Sequence, residues 1–426
     1  MSARRAIRYE EPATASSRDW RSDTLSAVIV ASVVFNFVLC FVNTNVFRTG
    51  AGLVIAAELA LVATTLLLMI GRGYDLFVIL GAYVAYTIFL GALQGSFDPK
   101  PARDMMIPVV FYFAAREIGS REAGDRLVAI CVWTVLAIGL YEYFFLKQFV
   151  KQFDILGYYV SRGTVQAAAA ELSEDRLFAS GMRYEGRTLL PFLGEHRVSS
   201  VFLEPVSVGN FGAICFAWIA LRSWGRPLQM LARLLPVVAI FVFADARFGL
   251  AVSLLSLAIY LVAKYTSRVL VLIGPFALIV VLGWIGATFP DVAWDNTLPG
   301  RILLSGQMIS KLDFEDVFAF VRNDGFTSDS GYTYTMVKIG LVGFLGMWAL
   351  FVLTPARDLS SWRYRIFVAV YLSLLLIISN SVYSIKTAAL LWYLVGALDA
   401  EPKRAVADER IEAPARRRYR PRLGAA

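Results

Sequence analysis

The chain is poor in the residues that build soluble active sites. It has one histidine, His196, and three cysteines in 426 residues. A single histidine excludes the histidine clusters of catalytic zinc sites, and no paired-cysteine spacing offers a structural metal site. Cys40, Cys131 and Cys215 each fall inside an apolar run, so neither a disulfide nor a metal site is expected. No glycine-rich phosphate loop is present. Charge is also scarce, at 17% of residues against 58% hydrophobic. Soluble domains carry about 25% charged residues, so a soluble globular protein is excluded. The formal net charge of +8 is the remaining hint of a nucleic-acid partner. Most of that surplus lies in short loops and tails, where topology and anionic lipid account for it, and no nucleic-acid partner is expected.

What the chain does have is long apolar runs. Twelve approach the ~20 residues a helix needs to cross a bilayer, and they predict an all-α polytopic membrane protein. Helices are the choice because lipid cannot satisfy open backbone groups and no segment alternates at period two. The reading divides the chain into a basic tail (1–23), spans 1–5 (24–146), a long segment (147–205), spans 6–9 (206–289), a second segment (290–330), spans 10–12 (331–398) and a basic tail (399–426). The first run has no small-residue cleavage site after it and reads as a retained anchor. The fourth, 105–115, is too short to cross alone; it is kept because its loss would reverse the side of Arg116, Arg121 and Arg126. Most Lys and Arg fall on one side of this map. The opposite short loops hold only Arg48, Lys100, Arg103, Arg247 and Lys386. The bias places both termini in the cytoplasm and the long segments in the periplasm of a bacterial inner membrane. No internal repeat is visible.

Structureless loops as long as 147–205 and 290–330 are uncommon unless functional or disordered. A helix is expected around Gln166 to Phe178. Another is expected over 302–321, where Ile302, Leu303, Met308, Ile309, Leu312, Phe314, Val317 and Phe320 can form an apolar stripe along a membrane surface or over a cavity. Asp313, Glu315 and Asp316 read as a solvated patch. The C-terminal tail, with Arg416, Arg417 and Arg418 in succession, reads as disordered.

Candidate chemistry lies where charge is expensive. Asp245-Ala246-Arg247 interrupts an apolar run from Leu234 to Val262. Shared between two helices, that run leaves each short of a full crossing, so the turn is recessed, with Asp245 a partner for Arg247 or Arg247 a snorkelling side chain. Lys338 reaches the interface or lines a cavity. Glu58 and Glu142 are intramembrane carboxyls, either relays or packed protonated groups. His196 and Arg197 precede Glu204 and Pro205, and a basic pair beside a helix N-terminus can bind an anion or anchor the chain at the interface.

Three motifs in order then resemble a known family: Arg197-Val-Ser-Ser-Val-Phe-Leu-Glu204-Pro205-Val-Ser-Val-Gly209, then Asp245-Ala-Arg247-Phe-Gly249, then Asp329-Ser-Gly-Tyr332 with Lys338-Ile-Gly340-Leu-Val-Gly343. From Arg197 to Leu398 the chain resembles the O-antigen ligase and Wzy-type polysaccharide polymerase superfamily, in its exopolysaccharide polymerase branch. The resemblance implies a GT-C-like glycosyltransferase that needs neither metal nor cofactor. Its substrate would be an undecaprenyl-diphosphate-linked oligosaccharide, and its partners membrane lipid and a chain-length regulator. It implies that Arg197 and Arg247, with His196, hold the diphosphate. A carboxylate, Asp329 or Glu204, would take the acceptor proton. Asp245, Tyr332 and Lys338 are secondary candidates, and Lys338 is expected to keep Asp329 ionised. A helix cap is the other role open to Asp329. Ligases of the superfamily commonly carry histidine where Asp329 stands, which favours a polymerase. A ligase-type transferase and a lipid-linked sugar flippase are the alternatives.

Overall fold

The computed structural model describes residues 19–165, 177, 181–182, 190–295, 297–323, 325, 327 and 329–401. Among these the chain is all-helical, with no strand and a single isolated bridge between Met182 and His196. The helices are α1 (Trp20–Asn45), α2 (Ala51–Met69), α3 (Tyr74–Leu93), α4 (Pro99–Ile118), α5 (Arg121–Phe144), the short α6 (Leu146–Gln152) and α7 (Ile155–Ser161), and α8 (Pro205–Arg222). They continue with α9 (Pro227–Ala244), α10 (Arg247–Val262), α11 (Arg268–Thr288), α12 (Leu298–Ser310), α13 (Phe314–Val317), α14 (Gly331–Leu353), α15 (Leu359–Ile378) and α16 (Ile385–Asp399). Ten are long and apolar enough to cross a membrane, which makes this a multi-pass membrane protein: α1–α3, α5, α8–α11, α14 and α15.

The long helices alternate in direction, so Trp20 and Asp399 share one end of the bundle, the terminal end. The opposite, distal end carries α6, α7, α12 and α13. At the centre stands α16, every residue of which is buried. Lipid is as apolar as leucine, so packing rather than hydrophobic expulsion holds such helices together, and small residues permit close approach. A Cβ on Gly396 would lie 2.2 Å from the Tyr112 carbonyl oxygen of α4. Glycine there lets α4 and α16 touch backbone to backbone.

Several expectations need correction. The short run 105–115 lies inside a 20-residue helix, α4, which is not among the ten. Its early charges are satisfied across helices, and Arg103, expected in a loop, ion-pairs Glu58 of α2. Arg103 also donates from Nη2 to Asp104 Oδ1 (2.6 Å), and the Tyr334 hydroxyl donates to Asp104 Oδ2 (2.7 Å). Glu58 is thus an ion-pair member. The predicted helix over 302–321 is broken after Ser310, because Asp313 caps α13 by accepting from the Asp316 amide (2.9 Å). The helix expected at 166–178 lies almost wholly outside the described residues, as do most of the two tails.

At the terminal end, Arg365 is 1% exposed and ion-pairs Asp399, which also accepts from the Tyr112 hydroxyl at 2.9 Å. Breaking a buried pair by removing one partner costs about 3–5 kcal/mol. Asp399→Ala is therefore expected to lower the unfolding temperature of the detergent-solubilised protein, and Arg365→Leu in the same chain to restore part of it. An Asp399→Ala protein as stable as the wild type would show that the pair contributes nothing.

Candidate functional site

The site is built on the segment 196–204, which enters the bundle before α8. Glu142, near the distal end of α5, is fully buried. Its carboxylate accepts from the Ser199 amide (3.0 Å), the Ser199 hydroxyl (3.0 Å) and the Ser200 amide (2.6 Å). His196 Nε2 stands 3.0 Å from Glu142 Oε1. The histidine is thus turned toward this carboxylate. Glu142 is the anchor that holds the segment.

Arg197 points the other way, to the turn between α9 and α10. Its Nε donates to the Ala244 carbonyl (3.2 Å) and its Nη2 to the Asp245 carbonyl (3.3 Å), while the Val198 amide donates to the Phe243 carbonyl (3.1 Å). Asp245 is buried and adopts the left-handed conformation, φ 49°. Among the described residues, three of the four non-glycine positive φ values (Ser200, Leu203, Asp245) fall in these two segments. Backbone held there costs of order 1–3 kcal/mol per residue and concentrates at functional sites. Arg247 opens α10 with an exposed side chain that makes no hydrogen bond or ion pair among the described residues. One turn is therefore clasped by Arg197 and crowned by Arg247.

The two candidate bases differ sharply. Glu204 Oε2 is 2.9 Å from Lys386 Nζ and accepts from the Ser207 hydroxyl (2.9 Å); Oε1 accepts from the Tyr159 hydroxyl (2.7 Å). Burial pushes the Glu204 pKa up, but Lys386 and then the Tyr159 and Ser207 hydroxyls outweigh it and hold the group below its usual 4.5. Burial, with Glu204 second, drives the Tyr159 phenol well above its usual value, so it remains a donor. Asp329 instead makes a long contact of 3.8 Å to Arg301 Nη1 and keeps a third of its side chain exposed. It is not the cap of α14; Ser330 is, accepting from the Thr333 amide at 3.2 Å.

Sequence reading missed Lys386 and Arg301. Lys386, a loop charge by sequence, lies in the first turn of α16 and is 7% exposed. Arg301 stood just outside the apolar stripe; its Nη1 also donates to the Ile378 carbonyl at 3.4 Å. The corner from the end of α15 to the first turn of α16 joins the clusters, with Ile378 to Arg301, Ser381 to Asn210 of α8 (3.3 Å) and Lys386 to Glu204.

Two secondary candidates are corrected. Tyr332 is fully buried and donates its hydroxyl to the Ser373 carbonyl (3.1 Å), so it is core. Lys338 lies 3.9 Å from Asp98, beside a break in α14 at Gly340 (φ 77°), and lines a pocket with Asp98 and Arg322. Its ion pair is with Asp98 and not with Asp329. The break is patched by Tyr86, whose hydroxyl donates to the Ile339 carbonyl (2.8 Å) and accepts from the Gly343 amide (3.2 Å).

Among the described residues no group of three His, Cys, Asp or Glu side chains is placed to hold a metal ion. No family model matches this chain, and no curated protein or solved structure matches it either.

The lowered Glu204 pKa has a defined consequence. The stability it contributes is complete above 4.5 and is lost as pH falls through the lower folded value. Glu204→Gln is expected to flatten the acid limb of unfolding temperature against pH. An acid limb identical to wild type would remove the Glu204–Lys386 pair from the stability of the site.

Proposed function

We propose that this protein is a metal-independent, GT-C-like membrane glycosyltransferase. In this reading it is a polysaccharide polymerase that transfers undecaprenyl-diphosphate-linked oligosaccharide repeat units to a growing glycan. The ten helices and α4 cross a bacterial inner membrane, and the short α16 makes the twelfth pass together with the corner that leads into it from Ile378. Both termini are cytoplasmic, in keeping with the Lys/Arg bias, and the distal end faces the periplasm. A chain-length regulator is the protein partner this reading implies.

The observation that carries the proposal is the Asp245 turn. In the reaction an acceptor hydroxyl attacks the anomeric carbon, the bond from that carbon to the diphosphate oxygen breaks, and the leaving diphosphate gains negative charge. Arg247 offers a permanent charge and forked donors matched to phosphate oxygens. Such donors act most strongly on charge that develops in the transition state. Arg197 fixes the turn that aims it. The hydroxyl's proton passes to Asp329, which is the better base because it has room for a substrate hydroxyl. Glu204 has both oxygens occupied and a depressed pKa.

The break in α14 beside Lys338 supports the second reading, a lipid-linked sugar flippase, because discontinuous helices are built into many transporters. Turnover of lipid-linked oligosaccharide by purified protein in detergent separates the two, since transport cannot be scored there.

In that assay Arg247→Lys keeps the charge but loses the fork, and activity is expected to fall by about 10²–10³-fold. Near-wild-type turnover would sink the diphosphate assignment. Asp329→Asn cannot accept a proton, and Ser330 still caps α14. The variant is expected to stay folded and bind lipid-linked substrate but to stop extending chains. Undiminished extension would pass the role of base to another group.

A further inference from the structure

A second cavity lies at the terminal end, away from the Asp245 turn. It lies between α5, α8 and α9 and has a volume of about 420 Å³. Asp125, Arg126 and Trp133 of α5, Arg222 of α8 and Arg233 of α9 line it, over an apolar wall that includes Val132 and Ile219.

The charges in this cavity are unbalanced. Arg222 is neutralised by Asp125, through Nε to Oδ1 (3.0 Å) and Nη2 to Oδ2 (2.9 Å), and Trp218 Nε1 also donates to Asp125 Oδ1 (2.9 Å). Arg126 and Arg233 are exposed and make no hydrogen bond or ion pair among the described residues. Each stands five or six residues into its helix, so roughly 8–9 Å below the helix start at ~1.5 Å per residue. That is the depth at which a long arginine stem lies against apolar surface and its head reaches the headgroup layer. Trp133, two turns deeper than Arg126, is 61% exposed, and Leu235 on α9 is 68% exposed. The mouth therefore opens onto the lipid-facing surface. A soluble anion would gain nothing from the apolar wall, whereas a phosphate attached to an acyl chain uses both parts of the cavity.

We infer that this cavity binds an anionic phospholipid of the surrounding bilayer. Its phosphate sits between Arg126 and Arg233, and an acyl chain runs along α5 and α9 past Trp133. Basic pockets between membrane helices recognise anionic headgroups in this way. The site is independent of the glycosyl-transfer reading, and none of these residues belongs to the proposed catalytic machinery.

The test is native mass spectrometry of the delipidated full-length protein in detergent. It is titrated with phosphatidylglycerol, cardiolipin and phosphatidylethanolamine of matched chains, and separately with glycerol phosphate. The anionic lipids are expected to be retained in preference to phosphatidylethanolamine, and glycerol phosphate not to be retained. Arg126→Gln with Arg233→Gln is expected to weaken anionic-lipid binding by roughly thirtyfold, from about one charge contribution per arginine. Equal retention of phosphatidylethanolamine, retention of glycerol phosphate as tight as that of the lipids, or undiminished anionic-lipid binding by the double variant would each overturn the assignment. The headgroup comparison is made on the wild-type protein and does not depend on the variant folding.

Discussion

The buried carboxylate of Glu142 is the constraint on which the distal end depends. A carboxyl with no exposed surface needs partners, because an unpaired buried charge is among the most costly features a membrane helix can carry. Glu142 takes them from backbone as well as side chains, the Ser199 and Ser200 amides and the Ser199 hydroxyl. Amide donors fix the path of the chain and not merely a rotamer. Ser200 is drawn to φ 48°, and Leu203 follows at φ 61° as the segment turns into α8. With residues 199–200 held on α5, Arg197 is left facing the opposite wall, where the carbonyls at the end of α9 receive it. The aim of the Asp245 turn thus follows from one glutamate on another helix.

The same economy separates the acidic groups. Glu142 is surrounded by donors from one segment, Glu204 by groups from three elements, and Asp329 by one distant guanidinium. A carboxylate whose lone pairs are filled is a strut. One with exposed lone pairs can accept a proton. Glu204 belongs to the first kind: its role is to hold Lys386 and Tyr159 and so to join α7, α8 and α16 at their distal ends. This division follows from the count of donors around each oxygen and needs no assumption about substrate.

Much of the fold is legible in the sequence, because a membrane helix is a local feature that needs only an apolar run of sufficient length. The turn at Asp245 was legible for the same reason, since charge interrupts an apolar run; the helices on either side nevertheless reach full crossing length, because the first begins at Pro227 and not at Leu234. What was not legible depends on partners far away in the chain. Lys100, Arg103 and Asp104 made α4 look too short, since a local reading cannot see Glu58 or Tyr334 closing the network. Lys386 looked like a loop residue until Glu204 was placed beside it. Tyr332 stands in a motif as a site candidate but turns its hydroxyl to Ser373 in the core. A basic residue next to the start of an apolar helix, as in Arg301 and Lys386, was the one local signal available. Only the tertiary contacts separate a buried ion pair from an interfacial anchor.

The short central helix ties these points together. With 15 residues, α16 is about 22 Å long at ~1.5 Å per residue, less than the ~30 Å hydrocarbon core it would have to cross. Its ends therefore stop inside the bundle, which is why Lys386 and Asp399 are only 7% and 8% exposed and each needs an opposite charge. At the terminal end the gap is filled by Arg365 and Tyr112. At the distal end it is framed by Glu204, Tyr159 and the corner leading from Ile378. The distal end is covered by residues from α7, α8 and the chain between α15 and α16, which leave Tyr159 and Lys386 only 3% and 7% exposed. The need for these charged pairs thus arises from helix length, before any other side-chain chemistry is considered. The charged pairs hold the neighbouring helices against both ends of α16, because neither charge could be left buried without a partner.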